Sequence, residues 1–185
     1  MSRSPFQFTV PFLAAVGLAC HPPVRSKSVD VDPWWLRARF QPTHDQIQGL
    51  GLRQIDSNWT AALVLTPRVM PPEAAQSLSA VTNSSVRFEL DGDLNHDGLA
   101  DRVLVGVYRN NSDIVGRFFL VLTRRPGGWE RADLLSMPGE AGFSVLTQHA
   151  DTIGWWMCME CDDGFMIAWD GRHYAPLPLP ADTIQ

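Results

Sequence analysis

The chain is short of basic residues, above all of lysine. Its 185 residues include 15 Lys and Arg against 20 Asp and Glu, which gives a formal net charge of −5. Lys27 is its one lysine. Proteins that bind nucleic acid present a basic face to the phosphate backbone. The charge balance therefore argues against a nucleic-acid partner.

Common catalytic motifs are also missing. The sequence contains no G-x-S-x-G, no H-E-x-x-H and no P-loop. His44 with Asp45, and His149 with Asp151, are pairs that lack a nucleophile partner. Carboxylates are numerous, so paired-acid hydrolysis stays an alternative, but the favoured interpretation is that the protein is not an enzyme.

An apolar stretch at the N-terminus predicts an export signal. Arg3 precedes an apolar run from Phe6 to Ala19, which Pro11 interrupts and which is too short to span a membrane. The residues Gly17-Leu18-Ala19-Cys20 resemble a bacterial lipobox. That resemblance implies that Cys20 is lipidated and becomes the first mature residue. The alternative is a plain secretory signal with an incidental cysteine.

The chain is therefore divided into a signal peptide (residues 1–19), a lipidated Cys20 with a tether to residue 33, and a single β-rich domain (residues 34–185). The tether is rich in proline and has no apolar period. No later segment is suited to span a membrane, so membrane contact is expected through the lipid anchor only. No Asp follows Cys20 directly. By resemblance to Gram-negative lipoproteins, this implies an outer-membrane lipoprotein that faces the periplasm or the cell surface.

Short apolar and aromatic segments predict a mainly β fold. The clearest is a hairpin, in which Gly116–Thr123 and Trp129–Leu135 are joined by a turn at Arg125-Pro126-Gly127-Gly128. Further strand candidates are residues 86–90, 102–108, 143–147, 152–158, 164–169 and 173–174. Their spacing predicts an antiparallel sheet, a sandwich, or a small barrel or propeller-like fold. One short helix is expected in the N-terminal half, over Pro71–Leu78, because proline suits the first turn of a helix.

The most informative segment is Asp93–Asp101, which reads D-x-N-x-D-G-x-x-D. Side-chain oxygens at positions one, three, five and nine, with a carbonyl at seven, allow a short loop to surround a hard cation. Calcium takes six to eight oxygens at about 2.3–2.6 Å. Gly98 stands where such a loop turns sharply. The twelfth position is Leu104, where an EF-hand has glutamate, and both flanks read as strands rather than helices.

This strand–loop–strand segment, Val86–Tyr108, resembles the calcium loop of the FG-GAP and VCBS repeat families, which occur in extracellular β-propellers and related β-folds. The resemblance implies calcium as a cofactor, held by four side chains and one backbone carbonyl (that of Leu99): Asp93, Asn95, Asp97, Leu99 and Asp101. The loop occurs once, so a multi-bladed propeller is not implied. The alternative is a polar turn in which Asp and Asn side chains accept bonds from nearby backbone N–H groups.

Cys158 and Cys161 form a second candidate site, predicted to be a disulfide. An exported protein meets an oxidising compartment, and a zinc site would need further ligands for which no suitable spacing exists. Thiol–disulfide chemistry and metal binding are the alternatives. Glu160, Asp162 and Asp163 crowd the same turn, and a solvated loop is favoured over a second cation site.

The adjacent Trp155 and Trp156 point to opposite faces if they lie in a strand. One of them is then expected in the core, and packing is favoured over stacking on a sugar.

Together these features predict an exported, calcium-stabilised binding lipoprotein of the bacterial envelope that engages an envelope protein or a glycan. Its size and export signal resemble periplasmic inhibitors of lysozyme-like enzymes and immunity proteins. An acidic surface suits a basic partner. The alternative function is a calcium-dependent hydrolase, or a thiol–disulfide protein that uses Cys158 and Cys161.

Overall fold

Three antiparallel sheets make up most of the structure, a computed structural model that describes residues 33–74, 86–159 and 162–177. The helices are α1 (Trp34–Arg37) and α2 (Leu52–Ile55), with a 3-10 turn at Pro67–Val69. The strands are β1 (Gln46–Ile47), β2 (Leu50–Gly51), β3 (Trp59–Val64), β4 (Glu89–Gly92), β5 (Asp101–Asn110), β6 (Val115–Arg125), β7 (Gly128–Pro138), β8 (Val145–His149), β9 (Thr152–Trp156), β10 (Gly164–Trp169) and β11 (Tyr174–Pro176). The predicted mainly β class, with a short helix in the N-terminal half, is confirmed.

The largest sheet is built around β5 and β6, the two long central strands. Strand β7 pairs with the outer edge of β6, through the predicted hairpin. The other edge of β5 is shared by two strands placed end to end. Strand β4 pairs with its first residues, Asp101–Leu104, and β3 pairs with Gly106–Asn110. The β4–β5 connection therefore lies at one end of this sheet.

The second sheet has four strands in the order β11-β10-β9-β8, each antiparallel to its neighbour. The chain thus passes back and forth across this sheet in sequence order. The turn between β10 and β11 is closed by a bond from the Asp170 N–H to the His173 carbonyl, 3.1 Å. Gly171 adopts a φ of 97° there, a left-handed conformation that favours glycine.

Side chains of the large sheet alternate between two cores. On one face, Val103, Val105 and Phe119 pack with residues of the second sheet, including Trp155 and Tyr174; this set is called the first core. On the other face, buried residues of β5 and β6 pack with residues of β1, α2 and β3; this set is called the second core. Its buried members include Tyr108 and Phe118.

The large sheet is therefore a middle layer, covered on one side by the four-stranded sheet and on the other by N-terminal elements. Of the predicted alternatives, this arrangement matches a sandwich, and within the described ranges no sheet closes into a barrel. The N-terminal layer comes from β1, β2 and α2, whereas Trp34 and Phe40 belong to the first core.

Two predicted elements differ in position. The strand expected over residues 86–90 begins at Glu89, and Arg87 instead bridges Leu146 of β8. The helix expected over Pro71–Leu78 lies partly outside the described residues. Its described part is a turn in which the Ala74 N–H donates to the Pro71 carbonyl, 2.9 Å. The predicted signal peptide, Cys20 and most of the tether also lie outside the described residues. None of the helices in the part of the chain that the structure describes is long and apolar enough to cross a membrane.

Candidate metal centre

The loop between β4 and β5 begins and ends at neighbouring points, because Gly92 pairs with Asp101 across the two strands. Its backbone reverses sharply. Gly98 has a φ of 84° and His96 a φ of 61°. A side chain added at Gly98 would meet no atom within 4 Å, so backbone conformation rather than space accounts for glycine at this position.

Three of the predicted ligands are brought together at the tip of this loop. The backbone N–H of Asp97 donates to Asp93 Oδ1 and to Asn95 Oδ1, each at 3.0 Å. The Gly98 N–H donates to Asp93 Oδ2 at 3.1 Å, and the Leu99 N–H to Asp97 Oδ1 at 2.9 Å. The Asn95 amide nitrogen donates to Asp97 Oδ2 at 3.2 Å. These bonds are those of the polar turn that stood as the alternative to a metal loop.

The two interpretations share these contacts, since a carboxylate oxygen that accepts one hydrogen bond keeps a second lone pair. Among the described residues, no three His, Cys, Asp or Glu side chains form a group spaced to hold a metal. Two of the five predicted ligands, Asn95 and Leu99, contribute amide and carbonyl oxygens instead. The all-oxygen donor set suits a hard cation such as calcium. The side chains of Asp93, Asn95 and Asp97 are engaged with the loop's own amides.

Asp101 differs from the other predicted ligands because it is buried, at 1% exposure. It opens β5 opposite Thr123 of β6. The Thr123 hydroxyl donates to Asp101 Oδ1 at 2.5 Å, and the Leu94 N–H donates to Oδ2 at 3.1 Å. No ion pair links Asp101 to another described residue. The structure thus holds a desolvated carboxylate at the base of the loop with two neutral donors and no cationic side chain.

Arg102, the residue that follows Asp101, does not pair with the Asp101 carboxylate. Arg102 binds Asp91 with two bonds, from Nε to Oδ1 at 2.7 Å and from Nη2 to Oδ2 at 3.1 Å. The hydrogen bond to Asp91 raises the pKa of Arg102, opposed by burial and helped by the charges of Glu89 and Asp91. As the strand alternates, Arg102 and Asp101 point to opposite faces. Asp91 is therefore a partner of arginine and not part of the loop's oxygen cluster.

The turn between β8 and β9 approaches the loop from the second sheet. Asp151 Oδ1 lies 3.5 Å from His96 Nε2, with both side chains largely exposed. A small cavity of about 40 Å³ separates the two turns, lined by residues that include Asp93 and Gln148. Sequence spacing could not have shown this contact, because it is set by the packing of two sheets.

Tyr174 of β11 is a buried side chain whose surroundings the sequence did not reveal. It is 1% exposed in the first core, and its hydroxyl has no hydrogen-bond partner among the described residues. Burial raises the pKa of Tyr174, and the negative charges of Asp101, Asp97, Asp133 and Asp93 raise it further.

The second candidate site is only partly described. Cys158 is 2% exposed and takes part in a disulfide. Cys161, its predicted partner, and Glu160 lie outside the described residues, so the pairing stays a prediction. Asp162 and Asp163 are exposed.

The two adjacent tryptophans separate as the strand pattern predicts. Trp155 is 2% exposed in the first core. Trp156 is half-buried, and its indole N–H donates to Thr147 Oγ1 at 2.8 Å. Both side chains are used in packing or hydrogen bonding within the sheet.

No protein-family model matches the chain, and comparisons with curated proteins and with solved structures find no match either. Function is therefore inferred from the loop, its neighbours and the sequence.

Proposed function

We propose that the protein is an exported, calcium-stabilised binding lipoprotein of the bacterial envelope, in which the Asp93–Asp101 loop holds the cation. The observation that carries the calcium part is that Asp101 is buried and has no ion pair with any residue that the structure describes. A buried carboxylate is costly unless it is paired or coordinates a metal. A cation in the loop would supply the charge that no described side chain provides.

The ligand set supports calcium over softer metals. Asp93, Asn95, Asp97 and Asp101 offer carboxylate and amide oxygens, with the Leu99 carbonyl as a fifth donor. Magnesium demands a tighter octahedron and gives up its waters reluctantly, so it should bind less well. The same ligand set contains no thiolate or imidazole, the usual ligands of zinc.

A structural role for the ion is favoured over catalysis. The carboxylates of Asp93 and Asp97 accept backbone N–H bonds that shape the loop, and Asp101 is buried away from any substrate. A general acid or base must reach the reacting group. The thiol–disulfide alternative is weakened because Cys158 is buried and disulfide-bonded, whereas reactive cysteines are partly exposed.

The proposed partner and the proposed location in the envelope rest on the sequence alone. The signal-like N-terminus with Cys20 supports export and lipidation, and the acidic balance supports a basic envelope protein as one class of partner, with a glycan as the other. An inhibitor of a lysozyme-like enzyme is the narrower form of this proposal. Lysozyme-like hydrolase activity measured with and without the purified protein tests that form directly.

Calorimetric titration with calcium tests the central claim. The wild-type protein should bind one calcium ion and bind magnesium more weakly. Asp97→Ala removes a ligand at the loop tip and should abolish binding while leaving a folded protein, because the sheets pack through other residues. Asp113→Ala, in the β5–β6 turn, is the matched control and should bind as the wild type does. Absence of calcium binding by the wild type would reduce the loop to a polar turn.

A further inference from the structure

An apolar cavity of about 210 Å³ lies between β7 of the large sheet and the second sheet. Residues of β7, β9, β10 and β11 line it: Leu135, Ser136, Met137, Trp155, Phe165 and Pro176. All of these except the serine are apolar. Because apolar surface is unfavourable in contact with water, a cavity of this composition favours an apolar occupant.

One corner of the first core is incompletely covered beside this cavity. Phe165 and Trp155 are cross-strand partners, so their side chains point to the same face, and their rings lie 6.0 Å apart. Trp155 is buried, yet Phe165 is 39% exposed. Pro176 is exposed as well, although its cross-strand partner, Ile167, is buried. Within the described ranges, the cover of this face therefore stops short of Phe165.

The register of β11 shows where the chain leads next. Pro176 pairs with Ile167, and the Leu177 N–H donates to the Met166 carbonyl at 2.7 Å, which continues the same antiparallel register by one residue. In that register residue 178 stands opposite Phe165. Side chains alternate along a strand, so residue 178 shares the face of Pro176, which is the face that lines the cavity.

The sequence of residues 176–180, Pro-Leu-Pro-Leu-Pro, is compatible with continued pairing. Successive backbone N–H groups of a strand point to opposite edges. Since the Leu177 N–H points toward β10, an N–H at position 176, 178 or 180 would point away from β10. Proline lacks this group and is tolerated in an edge strand only at such positions. The three prolines therefore remove no bond to β10.

We propose that residues 178–180, which lie outside the described residues, continue β11 along β10 and cover the cavity, with Pro178 packed on Phe165. The Leu179 N–H then donates to the Gly164 carbonyl. The free edge of the extended strand carries proline at alternate positions, so it is a poor template for pairing with another chain. This inference assigns the cavity to the protein's own chain and is independent of calcium.

NMR of the full chain tests both contacts. The Leu179 amide should exchange its hydrogen about tenfold or more slowly than in an unstructured chain, and a nuclear Overhauser effect should join Pro178 to the Phe165 ring. Leu179→Pro removes the donated bond, so it should abolish that effect and increase binding of the dye ANS, which reports exposed apolar surface. Leu179→Ala keeps the N–H and is the matched control, which should retain the contact.

The wild-type protein decides the outcome even if Leu179→Pro does not fold. An unprotected Leu179 amide together with no effect between Pro178 and Phe165 would overturn the proposal. Sedimentation that shows a dimer whose dissociation increases ANS binding would also overturn it, because a second copy would then cover the cavity. Slow exchange and the Pro178–Phe165 contact in a monomer would support it.

Discussion

Replacing Asp101 by asparagine should change the stability of the protein in a direction that depends on calcium. The side chain is buried, with one bond from Thr123 and one from Leu94 and no ion pair among the described residues. Asparagine has nearly the same shape. Its carbonyl oxygen accepts from the Leu94 N–H, and its amide donates to the Thr123 hydroxyl, so both hydrogen bonds have a replacement.

The change in stability caused by Asp101→Asn has two contributions of opposite sign. Without a cation, Asp101→Asn removes an unpaired buried carboxylate, so the melting temperature in EDTA should stay equal or rise. With calcium at a hundred times its dissociation constant, the wild type gains about 2.7 kcal/mol of unfolding free energy. For a domain of this size that corresponds to about 5–10 °C in melting temperature. The variant should lose most of this gain, because it lacks one carboxylate ligand.

Melting curves of wild type and variant in EDTA and in millimolar calcium measure both terms. Asp91→Asn is the matched control, since Asp91 is an exposed carboxylate paired with Arg102. That control should lose little stability, under about 1 kcal/mol, and by the same amount in both buffers. A loss for Asp101→Asn that is equal with and without calcium would show that the carboxylate serves the fold alone and would refute the reasoning.

Three further predictions concern export, the cysteines and packing. Expressed in a Gram-negative host, the wild type should incorporate a palmitate analogue, and Cys20→Ala should not; equal labelling of both would exclude lipidation at that residue. Cys158 and Cys161 should both resist alkylation in the non-reduced protein analysed by mass spectrometry, and modification of both thiols would contradict the disulfide. Gly106→Ala should lower the unfolding free energy by about 1–3 kcal/mol in denaturant melts. The added Cβ would lie 2.3 Å from the ring of Phe118, the cross-strand partner of Gly106. Gly127→Ala, in open space, should show little change.

The strands were largely predictable from sequence because their signals are local. The β6–β7 hairpin follows from apolar strands on either side of the predicted Arg125–Gly128 turn, and Arg125 pairs with Gly128 across it. Strand β10 spans Gly164–Trp169 as predicted. The run from Val103 to Tyr108 is almost continuously apolar. Such a run is typical of a strand buried on both faces, and β5 is buried in this way.

The N-terminal layer was not predictable in the same manner. Leu52 and Ile55 are three residues apart in a single helical turn, which is too short for a helical period to emerge. Leu50 lies between Gly49 and Gly51, and these glycines weaken any helix prediction there. These residues gain their structure from packing on the large sheet, as α2 and the β1–β2 pair cover its second core. Tertiary contacts, and not local propensity, decide their conformation.

The candidate site also combines contacts that follow from local sequence with contacts that depend on distant parts of the chain. The chain's own spacing sets the bonds among Asp93, Asn95 and Asp97, which are the bonds of a polar turn. The burial of Asp101 depends on the β5–β6 register, and the contact between His96 and Asp151 depends on how two sheets pack. Neither follows from counting along the sequence, since each requires a partner far away in the chain.

These two kinds of contact imply different contributions to calcium affinity. The loop tip is largely exposed, with Asp93 and Asp97 open to solvent, so its charges are screened and bind an ion weakly. The base is desolvated, and a carboxylate there interacts more strongly with an ion. If the proposed loop binds calcium as extracellular modules do, its dissociation constant should be about 10⁻⁴–10⁻³ M. An ion bound with that affinity would stabilise the fold only where calcium is near millimolar.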